Sequence, residues 1–330
     1  MVDMVVGGNG QLGSACAEGL LAQGREVRVS VRDRARAGRL GGRGAEVVLL
    51  DVTDPGQRRR ALRDVDVLVL SANAVVPRAG DDPAAFDRGL SALTDEALSA
   101  GVRRVVLPSV PVSDEDRRVP PMRAKRHLED QLAAGLADSW ILRFPPFMES
   151  WFALVGSSLP LRGEPNATVG RPSPFLRRFR AMTGSLVEDR GLMLVPGPPT
   201  HRHAFISVHD AARACVAAAV QDGPAPTAPV DVGGPEVLSW RDVAALFAEV
   251  LHRRVRVVAT PPAVYAAVAR VLAPVAPVPS RTMAMNCYLG RSESPYAVPG
   301  GGLVDPAAML TAEEFLRRKA ALSPDLIPVP

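Results

Sequence analysis

Three groups of side chains in this 330-residue chain could do chemistry. The first is the glycine run Gly7, Gly8, Gly10 and Gly13, which begins where a short apolar stretch stops. Gly8-x-Gly10-x-x-Gly13 fits the spacing GxGxxG, and Gly7-x-x-Gly10-x-x-Gly13 fits the related GxxGxxG. Either spacing lets the backbone turn tightly and brings a pyrophosphate against the amides of a helix N-terminus. Asn9, Gln11 and Leu12 complete that loop. The second is Arg32, in Val31-Arg32-Asp33. An NAD site usually ends its second strand with a carboxylate for the ribose 2′-hydroxyl. A guanidinium there holds a 2′-phosphate instead, so the order favours NADP over NAD. The third is Lys125, one of two lysines in a chain with 37 arginines. In a composition so biased toward arginine, a retained lysine hints at use.

These residues need elements to position them. "VDMVVGG" reads as a strand, and "LGSACAEGLLAQG" as a helix with Leu12, Cys16, Leu20 and Leu21 on one face and Gly24 as its stop. "EVRVSVRD", "AEVVLLDV", "DVDVLVLSA" and "VRRVVLPS" supply four more strands, with a helical pattern from Pro83 to Ala100 before the last of them. "SWILRFPPFMESWF" reads as a sixth strand and "PVDVGG" as the final one. Near-continuous apolar strands alternating with helices indicate an α/β domain, a doubly wound parallel sheet covered on both faces. On that frame Asp51 and Val52 end the third strand at the adenine edge. Ser71, Ala72 and Asn73 end the fourth, beneath the nicotinamide ribose. Ser109 follows the fifth strand. Lys125 belongs to a helix beginning near Met122, with Leu128, Leu132 and Leu136 as its apolar stripe. Glu129 lies four residues on, the spacing of an exposed ion pair.

Composition excludes several classes. Hydrophobic residues make up 47% and charged residues 22%, ordinary for a globular protein. The formal charge of +4 is small. Its basic clusters (Arg58 to Arg60, Arg177 to Arg180, Arg317 to Lys319) lie in separate segments, so no nucleic-acid partner is expected. Cys16, Cys215 and Cys287 are too few and too scattered for a disulfide scaffold or a zinc site. No apolar run approaches the roughly 18 residues of a membrane span. The first strand leaves no room for a signal peptide, so no membrane partner and a cytoplasmic location are expected. A homodimer is compatible with the sequence, but nothing in it selects one.

The second half is harder to read. Leu159 to His203 is rich in Pro, Gly and Arg and holds one amphipathic pattern, "PFLRRFRAMTGSL", with Phe175, Phe179 and Met182 on one side. His201 and His203 alternate and would share a face on a strand, without a third ligand to make a metal site. "FIS" reads as a short strand, with His209 at its junction with a small-residue helix. Ser239 and Asp242 have the spacing of a capping box before a Val243, Leu246, Phe247 and Val250 stripe.

Five stretches, in order along roughly residues 2 to 260, resemble the NmrA-like family of atypical short-chain dehydrogenases/reductases. They are "VVGGNGQLGSACAEGLLAQGREVRVSVRD", "RRVVLPS", "KRHLEDQLAAGLADSWILRFPPFMES", "HAFISVHDAARACVAAAV" and "DVGGPEVLSWRDVAALFAEVLHRRVR". "LPS" is also similar to the isoflavone reductase-like branch. The resemblance implies an NAD(P)-binding Rossmann domain over residues 1–150, completed by about 204–232. A smaller C-terminal substrate domain would then draw on 151–203 and 233–330. It also implies that Lys125 binds the nicotinamide ribose or acts as acid/base, with Ser109 as a second polar candidate. In ordinary short-chain dehydrogenases a Tyr-x-x-x-Lys pair does the proton chemistry. Here the tyrosine position is Pro121, which has no proton to give. Tyr288 and the two histidines are the alternative donors. The expected function is an NADP(H)-dependent oxidoreductase acting on a small apolar or aromatic substrate: a quinone, an enone or a benzylic centre. The alternatives are a non-catalytic NADP(H)-sensing protein, or an enzyme of secondary metabolism that keeps the cofactor for redox-neutral dehydration or cyclisation.

Overall fold

In the computed structural model the first strand, β1 (Val2–Val6), is buried along its whole length. Met4 and Val6 point into one apolar cluster and Val5 into another, so this strand must lie between two layers. The structure describes residues 1–33, 39–75, 80–114, 116–135, 138–170, 173–296 and 302–327. Leu136, expected in the Lys125 helix stripe, lies outside them.

Strand and helix alternate through the first half. After β1 come α1 (Gln11–Ala22), β2 (Glu26–Val31), α2 (Arg39–Gly42), β3 (Glu46–Leu49), α3 (Pro55–Ala61) and β4 (Val65–Leu70). Next are α4 (Pro83–Ser99), β5 (Arg104–Ser109), α5 (Pro120–Ala134) and β6 (Asp138–Arg143). The chain then leaves the sheet through α6 (Met148–Leu154), α7 (Pro174–Thr183), α8 (Leu186–Arg190), β7 (Leu192–Pro196) and β8 (Arg202–His203). It returns with α9 (Val208–Val220) and β9 (Val230–Asp231). The remainder is β10 (Leu238–Ser239), α10 (Trp240–Val250), β11 (Arg256–Thr260), α11 (Pro262–Leu272), α12 (Pro277–Arg291) and α13 (Ala312–Ala320).

Seven strands form one parallel sheet in the order β3-β2-β1-β4-β5-β6-β9. The order reverses between β1 and β4, which opens a crevice at the carboxyl ends of those strands. On one face α1 and α9 pack through small residues, with Cys16, Ala17, Ala211 and Cys215 fully buried. On the other face Leu90, Leu93 and Leu128 of α4 and α5 cover Met4, Leu68 and Leu70. Each such side chain contributes roughly 2 kcal/mol by leaving water.

A second core stands beside the sheet. Phe152 meets Phe205, Phe247 and Phe315 edge-on, at 5.0, 6.0 and 6.2 Å between ring centroids. Two small sheets border it, β7 parallel to β11 and β8 antiparallel to β10.

Several expectations need adjustment. "FIS" makes only a single bridge, Phe147 to Ile206, because Ser207 already caps α9. In α7 the buried residue is Leu176, while Met182 is 63% exposed. The Ser239/Asp242 capping box forms as read. The β7–β11 pair and the helices α11 and α12 went unread.

Candidate active site

β1 runs directly into the glycine loop, and three of its glycines are required by contact. Gly7 has φ of +88°, a region that favours glycine. A Cβ on Gly8 would meet that of Val29 at 2.7 Å. A Cβ on Gly13 would come within 2.3 Å of the Gly7 carbonyl oxygen and 2.5 Å of Ser71 Oγ. The loop, the start of α1 and the end of β4 are therefore packed almost backbone to backbone. Gly10 is the N-cap of α1, so no side chain caps the helix, and its first turn holds no acidic residue. That leaves amides and a positive dipole end facing the crevice, which fits a pyrophosphate. Ser71 Oγ donates to the Val6 carbonyl at 2.7 Å, tying β4 to β1 beneath this turn. Ala72 lies against Gly7, and Asn73 is exposed, with its carbonyl oxygen accepting from the Val75 amide.

Helix α5 starts at Pro120, slightly earlier than expected, because prolines suit a first turn where an N–H has no partner to lose. Pro121 is buried there. One turn on, Lys125 Nζ donates to the Pro108 carbonyl at 2.6 Å. Burial pulls its pKa down to about 8, opposed by the charge of Glu129. The expected exposed ion pair with Glu129 does not form at contact distance. Glu129 is buried, and its carboxylate accepts from Ser109 Oγ at 2.5 Å, Arg126 Nη1 at 2.7 Å and Arg143 Nη2 at 2.6 Å. Ser109 thus directs its proton to Glu129 and keeps only acceptor capacity for a ligand.

Lys125, Ser109, Ser71 and Asn73 line one cleft with Gly10, Gln11, Leu12 and Gly13, around a cavity of about 180 Å³. Phe144, Phe147, Trp151, Met285 and Leu289 form its apolar wall. Tyr288 and His203 border the same space. Tyr288 Oη donates to the Pro111 carbonyl at 2.8 Å, and burial, with Asp116 nearby, pushes the phenol pKa up. His203 is fully buried between Phe205 and Trp240. Its Nδ1 lies 2.9 Å from Ser294 Oγ, while Nε2 has no partner among the described residues. Burial lowers its pKa to about 3, so the imidazole is neutral. His201 precedes the two-residue strand β8 and does not line the cleft, so the expectation that both histidines share a pocket face fails.

Arg32, Asp51, Val52 and Asn9 are not part of that lining. Arg32 follows β2, and Asp51 and Val52 follow β3, on the side of the sheet where the adenosine end of a dinucleotide would run, while Asn9 stays in the turn after β1. Arg32 Nη1 stands 2.7 Å from Asp81. Asp51 is exposed and its carboxylate accepts from the Thr53 amide and hydroxyl at 2.9 and 2.8 Å. Val52 is buried, with its carbonyl pressed against Gly89. Asn9 is half-buried in the turn.

A polar cluster that the sequence did not reveal lies against the loop. Gln11 Nε2 is 3.5 Å from Glu164, which also takes Lys319 Nζ at 2.6 Å and faces His209 at 3.4 Å. Glu149 is fully buried beside it, with both oxygens accepting from the Val208 amide at 3.0 Å. Burial first, then the charge of Glu164, raises the Glu149 pKa to about 7. Against its own burial, Glu164 is held below its usual range by His209 and Lys319. Ligand atoms of Glu149, Glu164 and His209 lie within 4.8 Å of one another, a separation a metal ion would accept. The ammonium of Lys319 already supplies a positive charge there. The one available signal was that Lys319 is the other lysine of the chain.

Comparison with known proteins bears on the fold that carries these residues. Residues 7–148 match a family model described as NAD(P)H-binding. Among solved structures, triphenylmethane reductase of Citrobacter sp. in complex with NADP(H) is similar over 97% of this chain and 100% of its own, with 16% identity and TM-score 0.70. An NADPH-dependent quinone oxidoreductase of Escherichia coli, complexed with NADPH, is similar over 96% of this chain and 99% of its own, with 18% identity and TM-score 0.66. At such identities the likeness is one of fold. In sequence, sterol demethylase protein B of Methylococcus capsulatus is 38% identical over 109 residues, covering 32% of this chain. That match spans about one third of the length of the sterol demethylase protein, 33%. Together, the family match, the glycine loop and the parallel sheet place an NAD(P)H-binding pattern on residues 7–148, in a chain that shares the fold of those two reductases.

Proposed function

We propose that this chain is an NADP(H)-dependent oxidoreductase acting on a small apolar or aromatic substrate such as a quinone, an enone or a benzylic centre. One observation carries the reading: Lys125, the glycine loop and an apolar wall meet in a single cleft. The turn at Gly10 to Gly13 would hold the pyrophosphate, Ser71 and Asn73 would lie beside the ribose, and Lys125 would bind it. The nicotinamide, when bound, supplies the hydride. The chain supplies orientation, a dry wall and a proton. With a pKa of about 8, Lys125 is protonated at neutral pH and close enough to neutrality to release that proton. When Ser294 donates to Nδ1 of His203, the imidazole proton resides on Nε2, at the cleft. Activated double bonds and quinones suit a site with proline at the tyrosine position, because they need no strong acid at the moment of hydride arrival. The names of the quinone oxidoreductase and the triphenylmethane reductase, both of similar fold, lend support to conjugated acceptors. Arg32 favours NADP(H) over NAD(H), with Asp81 sharing or yielding it to a phosphate.

A second reading, an NADP(H) sensor without turnover, draws on Pro121 and on the commitment of the Ser109 proton to Glu129. The two separate on one assay. Purified protein is mixed with NADPH and a panel of quinones, enones and aryl ketones, and NADPH absorbance is followed. Loss with at least one acceptor supports the oxidoreductase; tight NADPH binding with no loss across the panel supports the sensor.

A further inference from the structure

Helix α11 buries none of its residues, although it is apolar nearly all round. It packs on α12, and its half-covered positions are Pro262, Tyr265, Ala266, Ala269 and Leu272. Val264, Val268 and Val271 share the opposite face at spacings i, i+4 and i+7, and Val275 extends the stripe past the helix end. Their exposures are 48, 39, 73 and 77%. A helix at a protein surface ordinarily puts charged side chains there, and a continuous apolar stripe marks a contact.

The charge of the segment that carries the stripe is of one sign. Between Glu249 and Glu293 the sequence contains no Asp or Glu, while Arg254, Arg256 and Arg270 are exposed. This composition discriminates between occupants. A second copy of the chain would meet the patch with the same patch across a two-fold axis. The basic segment would then meet its own copy, with no carboxylate between Glu249 and Glu293 to pair with Arg254, Arg256 or Arg270. An anionic bilayer surface matches both features, because the valines can enter the headgroup–acyl boundary while Arg270, on the flank of the same helix, stays level with the phosphates. We infer that the exposed face of α11 docks this protein on an anionic lipid surface. Peripheral docking requires no spanning segment, and among the described residues no helix is long and apolar enough to cross a membrane. The expectation of no membrane partner rested on the missing span and is revised here for surface contact.

Full-length protein is floated with vesicles of phosphatidylcholine alone or of phosphatidylcholine with phosphatidylglycerol. Flotation with the anionic vesicles is expected, falling at least about tenfold in a V268E/V271E variant and about fivefold for Arg270→Gln. Unchanged thermal unfolding and NADPH affinity in both variants control for folding. Three results would overturn the inference: no flotation with any vesicle, flotation that survives V268E/V271E, or equal flotation with phosphatidylcholine alone. A concentration-dependent dimer that V268E/V271E dissolves, without flotation, would assign the stripe to a second copy instead.

Discussion

Lys125 Nζ donates to the carbonyl oxygen of Pro108 at 2.6 Å, which fixes the cleft's ammonium to the end of β5 one residue before Ser109. Its acceptor is neutral and Glu129 is engaged elsewhere, so no carboxylate cancels the charge at contact distance. An ammonium held in this way, beside the uncapped start of α1, is available to a bound dinucleotide.

The first prediction concerns pH. Burial lowers the Lys125 pKa to about 8, so the protein without ligand loses this charge as pH rises through that value. NADPH affinity should be flat below it and weaken above it, by about tenfold per unit at most. Fluorescence titration of NADPH across this range measures the profile. A profile without a break near pH 8 would remove Lys125 from the cofactor's contacts.

Glu129 organises Ser109, Arg126 and Arg143, and Glu129→Gln leaves two guanidinium groups against a neutral amide. Removing one partner from a buried ion network costs about 3–5 kcal/mol. Arg126 and Arg143 keep some access to water, so a loss of about 3 kcal/mol or less is expected. Denaturant unfolding of the variant beside the parent protein gives the value, and an unchanged midpoint would show that the network contributes little.

How much of this was legible in the sequence follows from distance along the chain. The glycine loop, the six strands up to Arg143 and the position of Lys125 rest on local spacing and period, which a sequence displays directly. Glu149, Glu164, His209 and Lys319 are carried by four separate segments and meet only through tertiary packing. The Arg32–Asp81 pair joins residues 49 apart for the same reason. β7 and β11 are short strands whose partners lie about sixty residues away, so neither shows a hairpin signal. The two histidines misled because alternation implies a shared face only on a strand, and β8 is two residues long.

Glu149 gives a stability prediction with a definite sign. Its pKa is raised from 4.5 to about 7, so the folded chain holds a proton that the unfolded chain loses near 4.5. Its contribution is present in full below pH 4.5 and is lost as pH rises through 7. Glu149→Gln should flatten that decline and exceed the parent protein above pH 7, by on the order of 1–3 kcal/mol. Difference curves between the two proteins report the ionisation of Glu149 together with its effect on Glu164 and His209. A parent protein that gains stability over the same interval relative to the variant would reverse the assignment.

For cofactor choice, Arg32→Ala should weaken NADPH by about tenfold or more while leaving NADH nearly unchanged, as expected when a charged bidentate contact to a 2′-phosphate is lost. Parallel titrations with the two cofactors measure the ratio. Equal loss for both would make Arg32 a partner of Asp81 alone.

The central claim is that Lys125 works on a bound cofactor in a reductive site. Lys125→Met keeps the length and apolar stem of the side chain and removes the ammonium. Its NADPH dissociation constant and its turnover with the best acceptor of the panel, taken beside those of the parent protein, test the claim most directly. The account predicts at least about tenfold weaker binding and a turnover lower by about a hundredfold, within the range of acid–base catalysis. Binding and turnover both equal to those of the parent protein would contradict it.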